Sequence, residues 1–236
     1  MATEVKEITI VCVETRDSHR VNAARTLAHC MDVFPCREAI LFTDKKLDTK
    51  TVGTDRMSVV HNIRPLGEHD GSYDFFLLSQ LASYISTPYY LVVQTNGFIL
   101  NPEAWNDEFL KYHYVGAPWD HHPMNYCPPH QPVGPHTSVG DGGFSLRSRL
   151  LGMTTQGIFH EMSRQPGFVK EHWSPEDCFI ARDIRPMLED KGFKFAPREV
   201  AKRFSCKDKI YTNQFGFHGS RTLELNPNIK LVCGPQ

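Results

Sequence analysis

The segment Ile8-Thr9-Ile10-Val11-Cys12-Val13 runs without a charged residue and without the polar alternation of a half-solvated strand. Both of its faces must therefore be covered, as in a strand inside a parallel sheet. Such a sheet needs helices on its faces, and the next residues supply one. Asp17 or Ser18 can cap a helix whose Val21, Ala24, Leu27, Ala28 and Met31 recur at spacings of three and four. Short strands are expected over residues 39–42 and 57–60. A helix is expected over 73–85, with Phe76, Leu77, Gln80, Leu81 and Tyr84 at helical spacing, stopped by Pro88 ahead of an apolar strand at 89–93. Strands and helices in alternation predict an α/β fold with a mainly parallel central sheet flanked by helices. With no internal repeat and no Gly/Ser linker, residues 1–236 read as a single domain.

Composition narrows the function classes. Lys plus Arg is 26 and Asp plus Glu is 27, a formal charge of -1, with no segment that gathers a basic stripe, so nucleic acid is not an expected partner. No stretch approaches the roughly 20 apolar residues of a membrane span, and no secretory leader pattern opens the chain. The seven cysteines are odd in number, widely spaced and free of any CxxC pair, as in reduced thiols, so a soluble, cytoplasmic protein is expected.

The polar residues that interrupt this pattern are the candidates for chemistry. Gln94-Thr95-Asn96-Gly97 follows an apolar strand, where a parallel sheet presents its ligand-facing edge; Asn-Gly is equally a simple turn signal. Glu14-Thr15-Arg16 holds the same position after the first strand, where backbone amides and a hydroxyl can meet a base or ribose. Residues 118–142 carry six prolines and form a long irregular loop, of the kind that serves as a binding surface. Its His121, His122, His130 and His136 have no cysteine or carboxylate partner at a zinc-ligand interval, whereas Trp119 and Tyr126 offer flat faces for sugar stacking.

Farther on, Gly140-Asp141-Gly142-Gly143-Phe144-Ser145-Leu146-Arg147 lets backbone approach a ligand closely, or makes a tight turn into an edge strand. Ser174 as cap and Pro175 as first residue would put Glu176 and Asp177 in the first turn of a helix. There they are either favourable dipole partners or a carboxylate pair facing a cleft. His218, between small and apolar neighbours, is either a satisfied core residue or an imidazole brought close to a phosphate or metal.

Taken in order, the turn at 94–96, the loop at 140–147, Pro175-Glu176-Asp177 and Phe215-Gly216-Phe217-His218-Gly219 resemble the four signatures of GT-A glycosyltransferases. The flanks Tyr114-Val115-Gly116-Ala117-Pro118-Trp119, Phe195-Ala196-Pro197 and Phe204-Ser205 are similar to a poorly characterised family of small bacterial, fungal and viral domains believed to be glycosyltransferases. The resemblance spans residues 8 to 220. It implies transfer of a hexosyl or pentosyl group from a nucleotide-diphosphate sugar, uridine-linked, to a hydroxyl of a glycan, with inversion. Asp177 would be the base and Glu176 would orient the acceptor. Thr15, Arg16, Gln94, Thr95, Asn96, Asp141, Gly142, Gly143 and Arg147 would meet the donor, and Trp119 and Tyr126 the acceptor. Asn96 and His218 would hold Mn²⁺ or Mg²⁺. The sequence departs from the family where GT-A enzymes carry aspartates. Gln94 and Asn96 are uncharged, so a metal would be held loosely and with the nucleotide.

Two other classes compete. A nucleotide- or carbohydrate-binding module of the same fold would show affinity without turnover. A metal-dependent hydrolase using the histidines and the acidic pair on water would retain its metal through dialysis.

Overall fold

The computed structural model describes residues 6–48, 50, 56–61, 63, 72–119, 139–166 and 175–229. In chain order the first half gives β1 (Lys6–Val13), α1 (Asp17–Val33), β2 (Cys36–Phe42), β3 (Ser58–Val60), α2 (Ser72–Ser79), β4 (Tyr89–Val93) and β5 (Tyr114–Val115). The second half gives β6 (Ser145–Ser148), α3 (Arg149–Ser163), α4 (Glu176–Cys178), α5 (Arg185–Asp190), α6 (Arg198–Phe204), β7 (Ser205–Lys207), β8 (Gly216–His218) and α7 (Ser220–Leu225). A six-stranded sheet has the order β3-β2-β1-β4-β6-β5, and β7 and β8 form a separate parallel pair. The expected α/β architecture is present, with β3, β2, β1 and β4 parallel and β6 antiparallel to both its neighbours.

Side-chain alternation along β1 explains its unbroken apolar run. Ile8, Ile10 and Cys12 face a core shared with Ala23, Ala24, Leu27 and Cys30 of α1. Val11 and Val13 face the opposite side, with Phe76 and Leu77 of α2. Thr9, within the run and fully buried, has its hydroxyl 2.6 Å from that of Thr87 and donates to Glu38 Oε1 at 2.8 Å, so its polarity is satisfied internally.

Three local expectations are corrected. Val21 is 37% exposed, because the buried stripe of α1 is set by Ala23, Ala24, Leu27 and Cys30 together with Arg20 and Thr26. The helix expected over 73–85 breaks at Gln80, whose φ of -137° is non-helical, and continues as a 3-10 turn at Leu81–Tyr84. The Ser79 hydroxyl donates back to Phe75 O at 2.6 Å, a bond that competes with regular helix at that turn. The segment after the glycine pair is no edge strand: β6 pairs with β4 on one side and β5 on the other.

Candidate active site

The carboxyl ends of β1, β2 and β4 lie along one edge of the sheet, and the antiparallel β6 begins at that same edge, so residues 14–16, 43–44, 94–96 and 141–145 converge there. Thr15 is buried. Arg16 folds back on Glu14, donating from Nε to Oε1 at 2.9 Å and from Nη2 to Oε2 at 2.7 Å. Beside them Arg20, which the sequence shows only as part of a helix, donates to Asp44 Oδ1 and Thr43 Oγ1 at 2.8 Å each and to Thr15 O at 3.0 Å. One guanidinium thus ties the loop after β1 to the loop after β2.

At the centre of the edge stands His218, delivered by β8. Its Nδ1 donates to Asp141, 3.0 and 3.1 Å from the two carboxylate oxygens, and its Nε2 lies 3.1 Å from Gln94 Oε1. The Gln94 amide donates in turn to the Tyr73 hydroxyl at 2.8 Å. Lys207, the register partner of His218 across the β7–β8 pair, places Nζ 2.7 Å from Asp141 Oδ1. Asp141 is 0% exposed. Burial pushes its carboxyl up, but the charges of His218 and Lys207 outweigh that and hold it below the usual carboxylate range. The same pairing raises the Lys207 ammonium, against the effect of burial.

The glycine pair separates this centre from the acidic one. A Cβ at Gly143 would fall 2.2 Å from His218 Nε2, and a Cβ at Gly142 would fall 2.3 Å from Glu176 Oε1. On the Gly142 side, Glu176 is buried and accepts from Arg147 Nη2 at 2.9 Å, while its other oxygen, Oε2, is buried without a hydrogen-bond partner among the described residues. Burial, and next to it the charge of Asp177, raises the Glu176 carboxyl to about 7 against the pull of Arg147. Asp177 is half-buried. It accepts from Gly142 N at 3.1 Å and Cys178 N at 2.7 Å, and burial and Asp141 raise its carboxyl. Asp74, on α2, accepts from Glu176 N at 2.9 Å and is itself raised to about 6, chiefly by burial. The acidic pair does begin a helix, but Pro175 sits at the capping position rather than inside it, and Ser174 lies outside the described residues.

Several expected donor contacts are turned inward. Arg147 is 1% exposed and engaged with Glu176, with Ser145 Oγ at 2.9 Å and with the Tyr114 ring at 5.2 Å. Its charge holds the acidic pair in place and does not face a phosphate. The Asn96 side-chain amide donates to Ser220 Oγ at 3.4 Å, and the Asn96 backbone carbonyl accepts from Gly219 N at 2.9 Å, so the turn after β4 is tied to the end of β8; Thr95, between the two amides, is buried. The Trp119 ring is 7% exposed and packed over Gly140, in the wall beneath the site rather than on an open face; Tyr126 lies outside the described residues. Lys207, Tyr73 and Asp74 are site residues that the sequence did not single out, and only the closeness of Lys207 to the Phe204-Ser205 flank hinted at one of them.

A divalent cation on a diphosphate needs hard oxygen ligands, carboxylates above all. Here the carboxylate nearest His218 is Asp141, already neutralised by Lys207, and both nitrogens of His218 have neighbours. Gln94 and Asn96 add only neutral amides. Among the described residues no three His, Cys, Asp or Glu side chains gather as a metal would require. The expected pair of Asn96 and His218 is therefore not assembled as a metal site, and this donor set does not fit an ion held by the protein itself.

A family model matches residues 59–218, from β3 to His218. The chain belongs to the DUF5672 family. That family is described as proteins of unknown function. The DUF5672 region takes in Gln94, Asp141, the acidic pair, Lys207 and His218, and leaves out β1 and α1. No curated protein matches the chain. Among solved structures, core-mannan synthase A (CmsA/Ktr4) of Aspergillus fumigatus, in a Mn/GDP form, aligns over 74% of this chain and 68% of its own at 10% identity and a TM-score of 0.48. The mannosyltransferase PcManGT of Pyrobaculum calidifontis, in complex with GDP-Man and Mn²⁺, aligns over 83% and 55% at 12% identity and a TM-score of 0.45. The apo glycosyltransferase GlyE of Streptococcus pneumoniae aligns over 83% and 46% at 8% identity and a TM-score of 0.43. The DUF5672 chain thus spans about half the length of the last two.

Proposed function

We propose that this chain is a glycosyltransferase that moves a sugar from a nucleoside diphosphate, uridine-linked, to a hydroxyl of a glycan with inversion. The observation that carries the reading is the convergence of four segments far apart in sequence, at 94–96, 141–147, 176–177 and 218, on one sheet edge where α/β folds bind ligands. In this reading Asp177, half-buried and raised by that burial, takes the acceptor proton while the acceptor oxygen bonds to the anomeric carbon. The bond from that carbon to the diphosphate breaks on the opposite side, and the nucleoside diphosphate leaves. Asp177 is held from both oxygens by backbone N–H groups, which fixes its direction without neutralising it. Glu176, locked by Arg147, backs the acceptor side. A cytoplasmic setting is supported by the five described cysteines, which form no disulfide with one another. Among the described residues no helix is long and apolar enough to cross a membrane.

A binding module of the same fold is the second reading, favoured by the amides Gln94 and Asn96 where charged ligands to a donor complex are expected. A thermal-shift panel of nucleoside diphosphates and nucleotide sugars tests both, since a ligand that binds only the folded chain raises its melting temperature. A nucleotide that stabilises the chain, followed by release of nucleoside diphosphate from its sugar conjugate and loss of that release in Asp177→Asn, is the expected result. Stabilisation without release selects the binding module, and wild-type release by a folded Asp177→Asn protein removes Asp177 as base.

A further inference from the structure

The donor set around His218 lacks the carboxylates that would hold a divalent ion, yet a departing diphosphate still needs positive charge. The cations at this edge differ in what they have left to give. Arg147 is fully buried against Glu176. Arg20 is shared between Asp44 and Asp17, and Arg16 is folded onto Glu14. Lys207 differs in being anchored on a fully buried carboxylate. Its ammonium has three donors, Asp141 takes one at 2.7 Å, and the side chain is 31% exposed. The carboxylate beneath it is sealed from solvent and shared with His218, so the ammonium is anchored on that side.

We propose that Lys207, held by Asp141 beside His218, is a built-in cation that binds the diphosphate of the donor and stabilises it as it leaves, in the place a divalent metal would otherwise take. The proposal rests on the glycosyltransferase reading. When the bond from the anomeric carbon to the diphosphate breaks, the new negative charge falls on the terminal phosphate oxygen. Lys207 meets that oxygen with an N–H bond and transfers no proton, and the acceptor proton still goes to Asp177. Asp141 is a positioning residue here: it touches no substrate and sets the direction of both Lys207 and His218.

Titration calorimetry with UDP and with GDP, in EDTA and in Mn²⁺, tests this on the full chain. The expected result is that one nucleotide binds in EDTA within about 3-fold of its affinity in Mn²⁺, and that Lys207→Met weakens it by roughly 30-fold in both, the scale of a charge-assisted contact. Lys207→Arg should retain most of the affinity. The double variant Asp141→Asn/Lys207→Met, which removes the buried charge together with its partner, should fold and show the same loss of roughly 30-fold. If nucleotide binds only with Mn²⁺, and equally well to Lys207→Met or to the double variant, the Lys207 assignment is overturned while the donor reading stands. No binding of either nucleotide under any condition overturns both.

Discussion

Asp141 and Lys207 form a pair whose members differ in how far they can escape, and that asymmetry is measurable. Lys207→Met leaves a fully buried carboxylate without its ammonium, a loss of about 3 kcal/mol for a broken buried pair. Asp141→Asn should cost less, about 1 kcal/mol, because a partly exposed lysine can turn its head into water. Urea unfolding of both single variants and of the double variant closes the cycle. The double variant should lie nearer to wild type than the sum of the singles, and simple additivity would mean that the pair contributes no coupling. Asp74 carries a pH signature of its own. Its carboxyl is raised from 3.8 to about 6, so the folded chain holds that proton more tightly than the unfolded chain does. The stability this contributes is complete below about pH 4 and is lost as pH rises through 6. Asp74→Asn keeps an acceptor for Glu176 N and removes the titration, so its melting temperature relative to wild type should climb between pH 4 and 6 and level off above. A constant difference across that range would rule the assignment out.

Among the elements, the loop between β5 and β6 shows why two glycines stand in a row. They divide two sets of polar side chains, the partly buried His218 on one side and the buried Glu176 and Arg147 on the other, at distances no Cβ can share. Gly143→Ala should therefore displace His218 from Asp141 and Gln94 and destabilise by about 1–3 kcal/mol, the range for overpacking. Gly157 in α3 is the opposite case. Nothing lies within 4 Å of its would-be Cβ, and Gly157→Ala should stabilise by about 0.5–1 kcal/mol through helix propensity. Thermal melts of the two variants should move in opposite directions. From the sequence these glycines are alike in type. The difference lies in what the rest of the chain brings beside them, which a local pattern does not carry.

The whole molecule shows the same boundary between what is local and what is not. The alternation from β1 to β4 was legible in outline, because the unbroken run of β1 and the spacing of Ala24 and Leu27 in α1 point to a parallel layer without knowledge of any partner, even though Val21 of that spacing is exposed and the next helix breaks at Gln80. The antiparallel insertion of β6 between β4 and β5 was not legible, since it depends on pairing Tyr90 with Arg147 across 57 residues of sequence separation. Nor was the inward turn of Arg147, since an arginine after a glycine pair reads the same whether it meets a phosphate or a buried glutamate. The site as a whole requires the β7–β8 pair, which carries Lys207 and His218, to be locked to the main sheet. Phe144 is the lock. It stacks on Phe204 of α6 at 5.1 Å and packs beside Phe215, and its Cζ occupies the space that a Cβ at Gly216 would need, 2.3 Å away. Removing that ring empties the joint between the sheets and leaves the Val11 and Val13 face of β1 in its own separate core. Phe144→Ala should cost about 3–5 kcal/mol in urea unfolding, and Phe144→Leu, which keeps most of the volume, about 1.5 kcal/mol or less. The location of the loss is the sharper test. Under native conditions amide exchange in Phe144→Ala should accelerate in β7 and β8, with β1 and β2 near their wild-type rates, because opening of the smaller sheet does not require unfolding of the larger. Equal acceleration in β1 and β8 would instead mean that the two sheets open as one unit, and that the site cannot loosen unless the whole domain does.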